Sequence, residues 1–165
     1  VTMKIFVLRH GQAETQQTTD EARNLTAKGR LDVAASVHYS LSELAPASEF
    51  EQVQEIWASP LVRAQQTAEI VRNLLSAQGV QLLIKTTDLI TPESNPADLF
   101  DVLRASNLNS VLLASHMPFV GDFLDAFCGS ARGYHAMNTS SMALVVCDTP
   151  AKNCGDLHWL RHVNV

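Results

Sequence analysis

Two histidines and two arginines stand where a folded chain brings side chains to ligands. Arg9-His10-Gly11 closes a short apolar, β-branched run that begins at Lys4. Arg63 lies within Ser59-Pro60-Leu61-Val62-Arg63-Ala64-Gln65-Gln66-Thr67-Ala68, and His116 within Ser115-His116-Met117-Pro118. Imidazole can serve as nucleophile, proton carrier or oxygen ligand. Guanidinium groups stay charged, and their forked donors match phosphate oxygens in pairs. Without a nearby carboxylate, these four groups make a poor cage for a divalent cation, which the arginines repel. They make a good trap for a dianion, so the expectation is phosphate chemistry with no metal or other cofactor.

These residues need elements to hold them. Lys4–Arg9 reads as a buried strand, and the polar stretch 12–24 as a long loop. Thr26 is set to cap a helix running toward Leu44, its buried face formed by Leu31, Ala34, Ala35, Val37, His38 and Leu41, with Pro46 ending it. Glu55–Ser59 reads as a second strand. Ser59-Pro60 then starts a helix with Leu61, Ala64, Thr67, Ala68, Val71 and Leu75 turned inward, stopping near Gly79. A strand at Val80–Thr86 and a helix opened by Asn95-Pro96 follow. Ser110–Ser115 is a further strand, and a helix ends at Gly129. Met142–Cys147 and Leu157–Val163 close the chain as strands. This alternation predicts a three-layer α/β/α sandwich with a mostly parallel central sheet, in one domain spanning 1–165. The last two strands have no helix between them, so at least one edge should be antiparallel.

In such a sheet, ligands bind beyond the carboxyl ends of the strands. All three motifs follow strands, so all three fall on one rim. Arg63 also sits in a first helical turn, where free N–H groups and the helix dipole favour an anion. A lone arginine at a strand end is ordinarily a solvated surface residue, and Arg-His-Gly alone is a weak signal. The order and placement of the set give it weight. His38, His135, His158 and His162 read as structural.

Composition narrows the partners. The chain carries a formal net charge of −5, with 46% hydrophobic and 18% charged residues. That describes a folded protein without the basic footprint of nucleic-acid binding. No apolar run approaches a bilayer span, and no leader is recognisable. Three cysteines without paired spacing argue against a disulfide framework or a zinc site. A reducing cytoplasm fits best, with no membrane partner.

The three motifs together resemble the histidine phosphatase superfamily, also called phosphoglycerate mutase-like, across nearly the whole chain. The size resembles its small SixA-type branch of phosphohistidine phosphatases. So do Asp20, Arg23, Leu25-Thr26, Gly29, Leu89-Ile90-Thr91-Pro92-Glu93 and Pro118-Phe119-Val120-Gly121. The resemblance implies that His10 forms a transient phosphohistidine while Arg9, Arg63 and His116 bind the transferring oxygens. It implies Arg23 as an extra phosphate ligand oriented by Asp20, a loop salt bridge being the alternative. Larger members use a glutamate as general acid; here the nearest candidate is Glu93, with Asp88 behind it, or Glu93 is a surface acid. The substrate implied is a phosphorylated protein of the histidine-phosphotransfer type. A small phosphorylated molecule and a catalytically silent phosphate-binding module are the alternatives, and a mutase fits less well because it needs a lidded site.

Overall fold

The central strand β1 (Met3–Arg9) is apolar on both faces, and this dictates a layer on each side. The computed structural model describes residues 2–16, 18–40, 42 and 53–163. After β1 come α1 (Ala27–Tyr39), β2 (Glu55–Ala58), α2 (Val62–Ala77), β3 (Ile84–Thr86), α3 (Pro96–Ser106), β4 (Ser110–Ser115), α4 (Phe119–Cys128), β5 (Met142–Cys147) and β6 (Asp156–Arg161). The six strands form one sheet in the order β3-β2-β4-β1-β5-β6. The first four of these are mutually parallel, and β5 and β6 are antiparallel to their neighbours, as the missing helix between them predicts.

Alternation along β1 divides the core. Ile5 and Val7 pack with Leu99, Phe100, Leu103, Phe123 and Phe127 of α3 and α4. Phe6 and Leu8 pack on the other face with Val33, Val37, Ala68, Val71 and Leu75 of α1 and α2. The three-layer sandwich is therefore present, with helices on both faces of a mixed, mostly parallel sheet.

The inward face expected for α2 is all buried, from Leu61 to Leu75. Asn95 caps α3 by accepting from the Ala97 N–H at 3.0 Å, with Pro96 at its first position. Other expectations are corrected. In α1, Leu31 is 72% exposed, Ala35 and His38 are exposed and Ala34 is only partly buried, while Gly29, Val33, Ser36 and Val37 face inward. The reason is backbone contact: a Cβ on Gly29 would lie 2.1 Å from the Gln12 carbonyl oxygen, so the helix rotates to seat Gly29 against the 12–24 loop. Leu41, Leu44 and Pro46 fall outside the described residues. β3 begins at Ile84 rather than Val80, and β6 spans Asp156–Arg161. The helix expected from Ser59-Pro60 starts only at Val62, with Leu61 at its N-cap.

Candidate active site

β1, β4 and β2 are neighbours, so the segments that follow them emerge side by side. Arg9 is in register with Ser115, which places His10 and His116 as the next residues on adjacent strands. Their ring centroids lie 5.0 Å apart. The His10 N–H donates to the Ser115 carbonyl at 2.9 Å, extending the ladder past the strand end. On the other side, the Ser140 N–H donates to the carbonyls of Arg9 and His10.

His10 is buried. Its Nδ1 lies 2.7 Å from the Gly11 carbonyl oxygen, which can only accept, so Nδ1 carries the proton. Nε2 keeps its lone pair and takes a hydrogen bond from Nε of Arg63 at 3.3 Å. Burial is the main force lowering the His10 pKa to about 4, and Arg63, Arg9 and Arg23 add to it; the Gly11 carbonyl opposes them. The ring is therefore neutral near pH 7 and nucleophilic at Nε2.

Arg63 sits in the first turn of α2 with only 5% exposure. Two more of its five N–H groups go to Asp20, one on NH1 to the backbone oxygen at 2.8 Å and one on NH2 to Oδ2 at 3.1 Å. Asp20 also accepts from NH1 of Arg23 at 3.0 Å, while Nε of Arg23 donates to the Glu14 carbonyl at 2.7 Å. Arg23 and Arg63 hold the Asp20 carboxyl below the usual range, so it is ionised. This corrects the expectation of a site without a carboxylate: the loop carries one into the cluster. Sequence spacing gave no sign that Asp20 reaches Arg63, 43 residues away.

Arg9 donates from NH1 to the Met137 carbonyl at 2.7 Å, and its buried Nε has no partner. Burial, then Arg63, lowers its pKa, yet a guanidinium remains a cation. His116 is 1% exposed. Its Nε2 lies 2.8 Å from Ser59 Oγ, and its buried Nδ1 has no partner. Burial first, then His10 and Arg63, lowers its pKa to about 3.

The rest of the second motif is scaffolding. Thr67 donates to the Arg63 carbonyl at 2.8 Å and accepts from the Gly11 N–H at 3.2 Å, tying helix to strand end. Gln66 accepts from the Leu25 N–H and donates to Asn24 Oδ1, both at 2.8 Å, pinning the long loop. Asp125, buried on α4, accepts from the His135 N–H and Nδ1 and from the Gly133 N–H, at 2.7–2.8 Å. It thereby holds the segment whose Met137 carbonyl meets Arg9. Gly121 serves the same packing, since a Cβ there would lie 2.6 Å from the His135 carbonyl oxygen. The motif reading missed Ser59, Asp125 and the Met137 carbonyl as parts of this scaffold.

Glu93 lines a cavity of about 520 Å³ with Ser94, Asp122, Asp125, Arg132 and Lys152. Glu93 makes no hydrogen bond or ion pair with His10, Arg9, Arg63 or His116. Asp88 opens a short 3-10 turn, and its carbonyl accepts from Ser94. His162 bonds Ser141, and His158 faces Asp156. Among the described residues no group of three or more His, Cys, Asp or Glu side chains could hold a metal ion, and no helix is long and apolar enough to cross a membrane.

This arrangement, two neutral imidazoles beside the buried Arg63 and the half-buried Arg9 at the carboxyl edge of the sheet, defines a class. The description "Histidine phosphatase superfamily (branch 1)" matches residues 5–85. The phosphohistidine phosphatase SixA homolog of Haemophilus influenzae is 30% identical over 130 residues, 77% of this chain and 78% of that protein. On these grounds the chain belongs to the histidine phosphatase superfamily, in its SixA-type branch. Phosphohistidine phosphatase SixA of Escherichia coli is 24% identical over 164 residues, covering 95% and 92% of the two chains. The structure of the protein histidine phosphatase SixA complexed with tungstate matches with a TM-score of 0.80 at 25% identity, covering 97% of each chain.

Proposed function

We propose that this chain hydrolyses phosphohistidine on a partner protein, through a covalent phosphohistidine on His10 and without a metal ion. The observation that carries the reading is the state of His10: Nδ1 is pinned to the Gly11 carbonyl, and the lone pair on Nε2 faces Arg63. In the first step Nε2 attacks phosphorus, and the bond from phosphorus to the substrate nitrogen breaks. The leaving imidazole takes its proton from solvent. In the second step water attacks the phosphorus on His10, releasing phosphate and restoring the neutral ring. Arg9 and Arg63 neutralise the equatorial oxygens and, with His116, hold them, which is most of what a phosphoryl-transfer site must do. Arg23 adds a further cation from the loop.

The leaving group argues for this substrate class over an alkyl phosphate. A sugar alkoxide needs a positioned proton donor, whereas a departing imidazole can take its proton from solvent. Asp20 is held ionised by two arginines, so it has no proton to give, and Glu93 makes no hydrogen bond to the four central side chains. A silent phosphate-binding module would have no use for an unprotonated imidazole in this position.

The test is brief incubation with a labelled phosphohistidine-bearing protein, followed by mapping of the label. The expected result is an acid-labile, base-stable label on His10, absent in His10→Ala, formed equally well in the presence of chelator. Hydrolysis that proceeds in His10→Ala at the wild-type rate would sink the reading.

A further inference from the structure

We propose that Ser59 is a positioning residue that fixes the tautomer of His116, its hydroxyl donating to Nε2 so that Nδ1–H is the end offered to a phosphoryl oxygen. The inference rests on the functional reading above for the use of that N–H, but the tautomer itself follows from hydrogen-bond accounting. Ser59 is fully buried, and its Oγ has one proton and two lone pairs. One lone pair accepts from the Leu61 N–H at 3.3 Å. The other contact is His116 Nε2 at 2.8 Å.

Two arrangements satisfy that distance. If Nε2–H donated to Oγ, the Ser59 hydroxyl proton would be sealed in the interior with no acceptor among the described residues. If the hydroxyl donates to Nε2 instead, every polar group of Ser59 is used: its N–H goes to the Ala114 carbonyl, its own carbonyl accepts from Gln65 Nε2, and its hydroxyl both accepts and donates. Each arrangement leaves one buried donor open, the Ser59 hydroxyl in the first and Nδ1–H of His116 in the second; the first also strands the Nδ1 lone pair, the second only a spare hydroxyl lone pair, so the second is the less costly. His116 then carries its proton on Nδ1. That atom is buried and unpartnered, and so is Nε of Arg9 at the same rim. Two buried donors left open beside the His10 ring are what an incoming oxyanion would satisfy.

The two imidazoles therefore share a tautomer but present opposite ends. His10 hides Nδ1–H against its own backbone and shows a lone pair. His116 hides its lone pair against Ser59 and shows an N–H. This divides attack from oxyanion binding between two otherwise identical side chains.

The experiment is nitrogen-15 spectroscopy of histidine-labelled protein at pH 7, which reports the protonation of each ring nitrogen. Wild type should show His116 protonated at Nδ1 and unprotonated at Nε2. In Ser59→Ala the two tautomers should mix, and kcat should fall by roughly 10- to 100-fold, by analogy with loss of the partner that orients a metal-bound histidine, with KM changed far less. Tungstate should bind more weakly to the variant. A wild-type His116 protonated at Nε2 overturns the proposal even if the variant does not fold. So does a Ser59→Ala spectrum identical to wild type. The spectrum needs no substrate, so a wild type with the expected tautomer and no phosphoenzyme would count against the functional reading alone.

Discussion

Nε of Arg63 approaches Nε2 of His10 to 3.3 Å, and both side chains are buried. A guanidinium this near an imidazole opposes its protonation, and desolvation opposes it further. The same contact occupies the Nε2 lone pair, so Arg63 must release it as a phosphoryl group arrives and takes up the guanidinium.

The pH profile should report this. The active form of His10 is the neutral ring, and its pKa is lowered from 6.5 to about 4. Lowering the pKa moves the loss of activity to lower pH, so the acid limb of kcat/KM should lie near pH 4 rather than near 6.5. Arg63→Gln should move the limb upward, because a repelling charge is gone. It should also lose about 2–4 kcal/mol of transition-state stabilisation, by analogy with removal of one oxyanion donor. Rate measurements from pH 3.5 to 8 on both proteins check the two together.

Asp20 bridges Arg63 and Arg23 with its two oxygens at 3.1 and 3.0 Å. It occupies donors that a phosphate would use, and so competes with one. Asp20→Asn should therefore tighten tungstate or phosphate inhibition. The carboxylate is 43% exposed, so the gain is limited to the scale of a surface ion pair, about fivefold or less at low salt. Weaker inhibition would mean that holding Arg63 in place outweighs the competition. Inhibition constants at two ionic strengths decide it.

Glu93→Gln should leave hydrolysis of a phosphohistidine protein within about twofold of wild type. A general acid acting in the transition state contributes roughly 10²- to 10⁴-fold, so a loss of that size would identify Glu93 as the proton donor. The comparison is most telling when a phosphomonoester is assayed beside the protein substrate.

Asp125→Asn should damage the site from a distance. Asp125 accepts three hydrogen bonds while buried, and an amide would set its own N–H against one of those donors. A loss of about 1–3 kcal/mol in stability is expected from the group left unpaired. Activity should fall as well, because segment 133–141 supplies the carbonyl that takes Arg9. Thermal melts and kinetics on the same preparation check both effects.

Much of this was readable in the residues themselves. Ser110–Ser115 and Met142–Cys147 announce their bounds because every position is apolar or small, and Asn95-Pro96 carries a cap with a mechanism. Placing Arg9, His10, Arg63 and His116 on one rim needed only the rule that ligands gather beyond strand ends. What escaped were relations that depend on where backbone passes backbone. The rotation of α1 is set by Gly29 resting on Gln12, which no periodicity encodes. Asp20 reaching Arg63, and Met137 offering its carbonyl to Arg9, join residues 43 and 128 positions apart through loop paths that side-chain type does not reveal.

The 5.0 Å between the two imidazoles nearly equals the pitch of a β-sheet, about 4.8 Å between strands. Adjacent parallel strands in register act as the gauge block for this pair. Repacking either core layer with other apolar side chains would leave that gauge untouched. Slipping β4 against β1 by one residue would reverse which face His116 meets and separate the pair entirely. Loops around the rim can then diversify toward new partners while the spacing at the centre stays machined into the backbone.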